Sequence, residues 1–174
     1  REKAFGIWQT LSWSKLATMV AEIAGAMHEA GLRRGDHMVV IGSNRPRLYA
    51  TMLAAQSLGA IPVPLYQDAA GAECIFPINN ADIKFAVVED QEQVDKLLEV
   101  REQCPQIARI VYDDPRGLRK YDEECLTSMD DFLAQGQAFT KQNPQFVAGE
   151  IAKCQPDDVA AMFFTSGTTG NPKG

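Results

Sequence analysis

The run from Thr165 to Gly174 is dense in glycine, threonine and serine and has the composition of an anion-binding loop. Glycines let backbone N–H groups approach an anion closely, and successive N–H groups in such turns form a concave nest. The hydroxyls add short donors, and Lys173 adds a positive charge. These residue types suit a polyphosphate. The predicted phosphate contacts are Thr165, Ser166, Gly167, Thr168, Thr169, Gly170 and Lys173.

The spacing within this run differs from the two common nucleotide-binding loops. A Walker A loop reads G-x-x-x-x-G-K-[ST], but counting from Gly167 puts Pro172 where the second glycine should stand. Lys173 is also followed by Gly174, without the hydroxyl residue that would hold Mg²⁺. The dinucleotide pattern G-x-G-x-x-G does not occur in the sequence either. The alternative is a flexible glycine–threonine turn. The number of hydrogen-bond donors beside a Pro-Lys pair argues against it.

A loop of this kind needs a sheet to position it, and the sequence predicts one. The apolar run Val159–Phe164 predicts a final strand that enters the loop directly, with Phe163 and Phe164 in the core. In an open α/β sheet, ligands bind beyond the carboxyl ends of the strands. Further buried strands are predicted at Met38–Ile41, Ile61–Leu65, Phe85–Val88 and Ile107–Tyr112.

Helical segments alternate with these strands, which predicts an α/β fold with a parallel sheet and helices on both faces. A short strand is expected over Trp8–Trp13, followed by a helix that Ser14 caps. Asp90 and Ser128 are predicted to cap two later helices, the second running from Met129 to about Thr140. The polar stretch from Asp113 to Pro156 is expected to be the least regular.

Composition and charge exclude several classes of protein. The chain has 174 residues, which suits one domain or a large piece of one, and its net charge of −6 argues against nucleic-acid binding. The four cysteines lack metal-ligand spacing and are predicted to be free thiols, so no metal site is expected. The uncharged stretch Leu48–Gln67 contains Pro62 and Pro64, which argues against a membrane-spanning helix.

Acidic pairs in the chain are predicted to be surface residues or helix caps, because neighbours in sequence do not converge as a catalytic dyad. The pairs are Asp113-Asp114, Glu123-Glu124, Asp130-Asp131 and Asp157-Asp158. The chain begins at Arg1 and stops within the glycine-rich run, so we expect it to be a piece of a longer protein.

Phe164 to Gly174 fits the pattern [YF]-T-S-G-[TS]-T-G-x-P-K-G at every position, and so resembles the phosphate-binding signature of the adenylate-forming superfamily. Upstream segments are similar to that superfamily, and one is similar to its long-chain fatty acyl-CoA synthetase branch. The superfamily-like segments are Trp13–Leu16, Gly31–Asp36, Asn44–Pro46 and Leu58–Tyr66, and the branch-like one is Asn79–Ala81 with Phe85–Asp90.

The resemblance implies that residues 1–174 are the incomplete N-terminal part of the ligase large domain, an AMP-binding (adenylation) domain ending at the phosphate-binding loop 164–174. It also implies a two-step reaction. A carboxylate attacks the α-phosphate of ATP, and coenzyme A then displaces AMP to give a thioester. Mg²⁺ offsets the phosphate charge. No catalytic residue is expected in these residues, since the catalytic lysine of the family lies in a later domain, and the isolated chain is expected to be inactive.

Two alternatives remain open: a non-catalytic phosphate-binding or interaction module, and an adenylate-forming ligase for another carboxylic acid. The expected partners are ATP and a fatty acid or other carboxylic acid, with no nucleic acid and no transmembrane segment. The expected location is cytoplasmic, and peripheral membrane association of the parent protein is left open.

Overall fold

The computed structural model describes residues 2–4, 6–165 and 174, and they form seven strands, six α-helices and two short 3₁₀ helices. The strands are β1 (Glu2–Ala4), β2 (Ile7–Gln9), β3 (His37–Ile41), β4 (Ile61–Leu65), β5 (Phe85–Val88), β6 (Arg109–Tyr112) and β7 (Leu126–Ser128). The helices are α1 (Trp13–Glu29), α2 (Pro46–Ser57), α3 (Gly71–Asn80), α4 (Gln91–Glu99), α5 (Met129–Gln142) and α6 (Phe146–Ile151).

Five strands form one parallel sheet in the order β4-β3-β5-β6-β7, which confirms the predicted parallel arrangement. In the register, Val39 lies opposite Val63 on one side and Ala86 on the other. Strands β3 and β5 are buried almost throughout, as their continuous apolar runs predict. The strands β1 and β2 form a separate antiparallel hairpin.

Helices cover both faces of the sheet, as predicted. On one face, Val40 and Val87 pack in a core with buried residues of α1, α2 and α5. On the other face, Val39 and Ala86 pack with residues of α3 and α4. Because side chains of a strand alternate between faces, two apolar layers need strands that are apolar at every position.

The start of α1 corrects the prediction for the N-terminal region. The helix begins at Trp13, and Ser12 rather than Ser14 is its cap, since the Ser12 Oγ accepts a hydrogen bond from the Lys15 N–H at 3.2 Å. The predicted strand over Trp8–Trp13 is also too long, because β2 ends at Gln9. The caps at Asp90 and Ser128 are confirmed, each accepting from the N–H three residues further on.

Helices α1 and α5, on one face of the sheet, approach each other closely at a glycine of α5. A Cβ atom on Gly136 of α5 would lie 1.8 Å from the carbonyl oxygen of Glu22 on α1. The stretch from Asp113 to Pro156 was predicted to be the least regular apart from the helix that begins at Met129, yet it also supplies β7 and α6. Strand β7 has only three residues, which is too short for a periodic signal.

The predicted strand Val159–Phe164 does not form as a ladder, and the prolines of β4 explain why. The Ile61 N–H donates to the Asp36 carbonyl on the β3 side, so Pro62 and Pro64 face the free edge of β4. Proline has no N–H, and this edge therefore offers acceptors without donors. Among the described residues, the segment makes one backbone bond there, from the Met162 N–H to the Pro62 carbonyl at 3.1 Å.

Candidate functional site

The loops that follow β3, β5 and β6 meet at the carboxyl end of the parallel sheet. Glu89, directly after β5, donates its N–H to the Ile41 carbonyl of β3 at 2.9 Å. The Asp113 N–H donates to the Val88 carbonyl at 3.0 Å, and the Asp114 N–H donates to the Glu89 carbonyl at 2.6 Å. These bonds continue the sheet pattern past the strand ends, so the ends of the three strands are joined by backbone hydrogen bonds.

Among the acidic side chains of Glu89, Asp113 and Asp114 in these loops, that of Glu89 is the least exposed to solvent. One carboxylate oxygen accepts from the Ser43 N–H at 2.5 Å, and the other accepts from Arg45 Nε at 2.8 Å. Burial raises the pKa of Glu89, but the hydrogen bonds of Ser43 and Arg45 outweigh it, and the pKa lies below its usual value. The side chain is therefore held as a carboxylate that fixes the β3–α2 loop.

Arg47, in the first turn of α2, joins two further carboxylates. Its guanidinium lies 3.0 Å from Asp113 and 2.9 Å from Asp130. Burial lowers the pKa of Arg47, while the hydrogen bond with Asp113 and the two negative charges raise it, with a net increase. Asp113 was predicted as a surface residue or cap, which is wrong: its side chain is only 16% exposed in this ion pair.

A polar cleft of about 650 Å³ opens above these ion pairs. Its charged lining residues are four basic ones, Lys3, Arg45, Arg47 and Arg116, and four acidic ones, Glu89, Asp113, Asp114 and Asp130. The charges balance and several are already paired, so this cleft does not have the excess of positive charge that a polyphosphate requires.

The segment that leads to the predicted phosphate loop lies beside the free edge of β4. Phe164 is partly buried and contacts Phe76 of α3 edge-on, whereas Phe163 is 62% exposed. The prediction of a core position is therefore wrong for Phe163. Only one of the two neighbouring aromatic rings, that of Phe164, packs against the core.

Of the predicted phosphate contacts, Thr165 is exposed and forms an isolated bridge at the end of this segment. The others, Ser166, Gly167, Thr168, Thr169, Gly170 and Lys173, lie outside the described residues. Gly174 lies against Phe164, since a Cβ atom built on it would be 3.0 Å from two ring carbons of Phe164. The two ends of the run therefore come together at the Phe164 ring.

An apolar cleft of about 220 Å³ lies next to Phe163. The β3–α2 loop forms one wall through Gly42, Ser43 and Asn44. The end of β4, one face of α2 and Phe163 form the rest. The loop that Glu89 holds and the segment that enters the phosphate run therefore face each other across this cleft.

Sequence reasoning missed Glu89 and Arg47. A usable signal was present, because Glu89 and Asp113 each follow a buried strand directly, where polar residues of neighbouring parallel strands meet. Within residues 2–4, 6–165 and 174, no group of three His, Cys, Asp or Glu side chains could hold a metal ion. No helix in the described ranges is long and apolar enough to span a membrane.

The sequence of the chain matches a family model along its whole length. The model describes AMP-binding enzymes and matches residues 1–174. The chain belongs to the AMP-binding enzyme family.

Similar AMP-binding enzymes include the human long-chain-fatty-acid–CoA ligase 6, which is 31% identical over 177 residues, covering 96% of this chain and 24% of the ligase. The rat long-chain-fatty-acid–CoA ligase ACSBG1 is 23% identical over 168 residues, covering 96% of this chain and 22% of that protein. The crystal structure of Brucella canis acyl-CoA synthetase superposes with a TM-score of 0.71 and 26% identity, covering 97% of this chain and 28% of that chain. This chain thus spans less than a quarter of the two curated relatives.

Proposed function

We propose that this chain is the N-terminal part of the adenylation domain of an ATP-dependent acyl-CoA synthetase that acts on long-chain fatty acids. The observation that carries the proposal is the run Phe164–Gly174, which fits the phosphate-binding signature in a chain that belongs to the AMP-binding enzyme family. The names of the human and rat relatives support the choice of long-chain fatty acids.

In this proposal, the residues from Thr165 to Lys173 bind the β- and γ-phosphates of ATP, which leave as pyrophosphate. Backbone amides and hydroxyls aimed at the leaving group stabilise the charge that develops on it. Contact between Gly174 and the Phe164 ring supports the proposal, since it brings the ends of the run together as a loop requires. Lys173 contributes its charge to the phosphates and takes no part in proton transfer.

Mg²⁺ enters the proposal only as the counterion of the ATP phosphates. The described side chains offer no set of ligands for it, and we assign none. Coenzyme A is the proposed second substrate, and AMP leaves when its thiol forms the thioester. The remaining motifs of the reaction belong to the longer protein, so we propose that residues 1–174 alone have no ligase activity.

The experiment is ATP–pyrophosphate exchange by the intact protein with a panel of carboxylic acids, followed by thioester formation with coenzyme A. We expect exchange with long-chain fatty acids and none with the 174-residue chain alone. Exchange only with a short, aromatic or amino acid would replace the proposed substrate and keep the chemistry. ATP binding without exchange for any acid would instead support a non-catalytic phosphate-binding module.

A further inference from the structure

A groove of about 540 Å³ lies on the surface between α1, α2 and α6, away from the clefts described above. The described residues that line it all have uncharged side chains, and most of these side chains are apolar. The larger apolar ones are Trp13, Leu16 and Val20 of α1, Leu53 of α2 and Ile151 of α6. No step of the reaction proposed above uses this groove.

Large apolar side chains of the groove are exposed to water. Trp13 is 86% exposed, Ile151 is 51% exposed and Leu53 is 43% exposed. The groove also continues the core of this face, because Leu16 and Val20 pack against the buried cluster beneath it. Contiguous apolar surface of this kind on a folded protein marks an interaction site.

The polar groups of the groove already have partners, which selects an apolar occupant. Gln56 Nε2 donates to the Ala160 carbonyl at 2.8 Å, and the Ser57 hydroxyl donates to the Leu53 carbonyl at 2.8 Å. A membrane-surface site would carry Lys and Arg side chains for the lipid headgroups, and the described lining residues include neither. An apolar protein surface therefore fits the groove better than a polar ligand or a lipid headgroup layer.

The longer protein itself is the nearest source of such a surface. The chain spans less than a quarter of the two curated relatives, so more than three quarters of their length lies outside the matched part. A segment tethered to the same polypeptide has a much higher effective concentration at the groove than a second copy has.

We infer that the groove between α1, α2 and α6 is an intramolecular interface, filled by an apolar segment of the longer protein from beyond residue 174. The inference rests on the part of the proposed function that places residues 1–174 at the N-terminal end of a larger adenylation domain. Filling the groove removes Trp13, Leu53 and Ile151 from water, and this burial stabilises the assembled domain.

Cys154 lines the groove and serves as a probe of its cover. It is exposed in the structure, whereas Cys74, Cys104 and Cys125 are buried. The measurement is the rate at which N-ethylmaleimide labels Cys154 in the intact protein, followed by peptide mass spectrometry and compared with the same protein unfolded in urea. We expect native labelling to be about tenfold slower or more. Native labelling at the unfolded rate would overturn the inference.

A charge placed in the groove should displace the segment that fills it. Leu53→Lys introduces that charge, and Glu92→Lys is the matched control, since Glu92 forms an exposed ion pair with Lys96 on the opposite face of the sheet. We expect Leu53→Lys to raise the native labelling rate of Cys154 about tenfold, with the three buried cysteines still unlabelled, and Glu92→Lys to leave it unchanged. A wild-type rate in a folded Leu53→Lys variant would overturn the inference, because the cover of Cys154 would then lie outside the groove.

A photoreactive side chain identifies the occupant and decides the question if Leu53→Lys does not fold. The variant is Leu53→p-benzoylphenylalanine in the intact protein, with cross-linked peptides identified by mass spectrometry. We expect a cross-link within one polypeptide to a peptide from beyond residue 174. A cross-link between two copies, a cross-link confined to residues 1–174, or protection of Cys154 only in the presence of lipid vesicles would overturn the inference.

These measurements fail separately from the test of the proposed function. An intact protein that exchanges pyrophosphate while its Cys154 labels at the unfolded rate overturns the inference alone. A protected Cys154 with the expected cross-link, in a protein that shows no exchange with any acid, supports the interface and overturns the proposed reaction.

Discussion

The ring of Phe76 on α3 meets Phe164 edge-on, with ring centroids 6.3 Å apart and an interplanar angle of 89°. Phe164 also lies against Gly174, so this aromatic pair packs beside both ends of the phosphate run. Edge-to-face pairs contribute about 0.5–1.5 kcal/mol beyond the area they bury. The pair links the α3 side of the core to the candidate site.

Replacing Phe76 by leucine should reduce the free energy of unfolding by about 1 kcal/mol, because the edge-on contact with Phe164 is lost. Urea unfolding of the 174-residue chain measures the change. Phe163→Leu is the control, since the Phe163 ring is 62% exposed, and its effect should stay within about 0.5 kcal/mol. Equal effects of the two substitutions would contradict the described packing.

Gly136→Ala should be among the more damaging small substitutions in the chain. The added methyl would lie 1.8 Å from the Glu22 carbonyl oxygen, so α1 and α5 must separate. We expect a loss of about 1–3 kcal/mol in the free energy of unfolding, as for other overpacked sites.

Gly149→Ala is the control for this prediction. Gly149 also lies within a helix, but a Cβ atom there has no neighbour within 4 Å. Alanine has the higher helix propensity, by about 1 kcal/mol, so this variant should be as stable as wild type or more stable. Similar losses in both variants would show that α1 and α5 do not cross as described.

The cap of α1 gives a third prediction. Ser12→Ala should reduce the free energy of unfolding by about 1 kcal/mol, because the Lys15 N–H loses its acceptor. Ser14→Ala should cost less, since Ser14 lies inside the helix and its hydroxyl contacts only the Ser12 hydroxyl among the hydrogen bonds identified. The reverse order in urea unfolding would restore Ser14 as the cap.

The lowered pKa of Glu89 predicts a dependence of stability on pH. A carboxyl group with a pKa below its unfolded value of about 4.5 stabilises the fold above that pH, and the contribution is lost as the pH falls through the folded pKa. The stability difference between wild type and Glu89→Gln should therefore be largest above about pH 5 and shrink below pH 4.5. Urea titrations from pH 7 to pH 3 measure it, with Glu92→Gln as the control; a constant difference would contradict the assignment.

The sequence predicted the parallel sheet well because the strands β3 and β5 are apolar at every position, and burial on both faces requires that pattern. The caps Asp90 and Ser128 were also predictable, because a capping bond joins residues three apart. Local pattern could not separate Ser12 from Ser14, since both precede a helical stretch and both carry a hydroxyl.

The wrong predictions at the candidate site depend on contacts between residues that are far apart in the sequence. Whether Val159–Phe164 pairs as a strand depends on the two prolines almost a hundred residues earlier, which leave the β4 edge without donors. Glu89 depends on loops from three strands, and only the sheet order brings them together.

The central claim is that the run from Thr165 to Lys173 binds the triphosphate, and the most direct measurement is the ATP dependence of ATP–pyrophosphate exchange by the intact Lys173→Ala variant. We predict a fall in kcat/KM for ATP that corresponds to a loss of about 1–3 kcal/mol in transition-state stabilisation, the cost of one charged hydrogen bond. Lys153→Ala, which removes an exposed lysine paired with Glu150, should behave as wild type. An unchanged kcat/KM for ATP in Lys173→Ala would contradict the account.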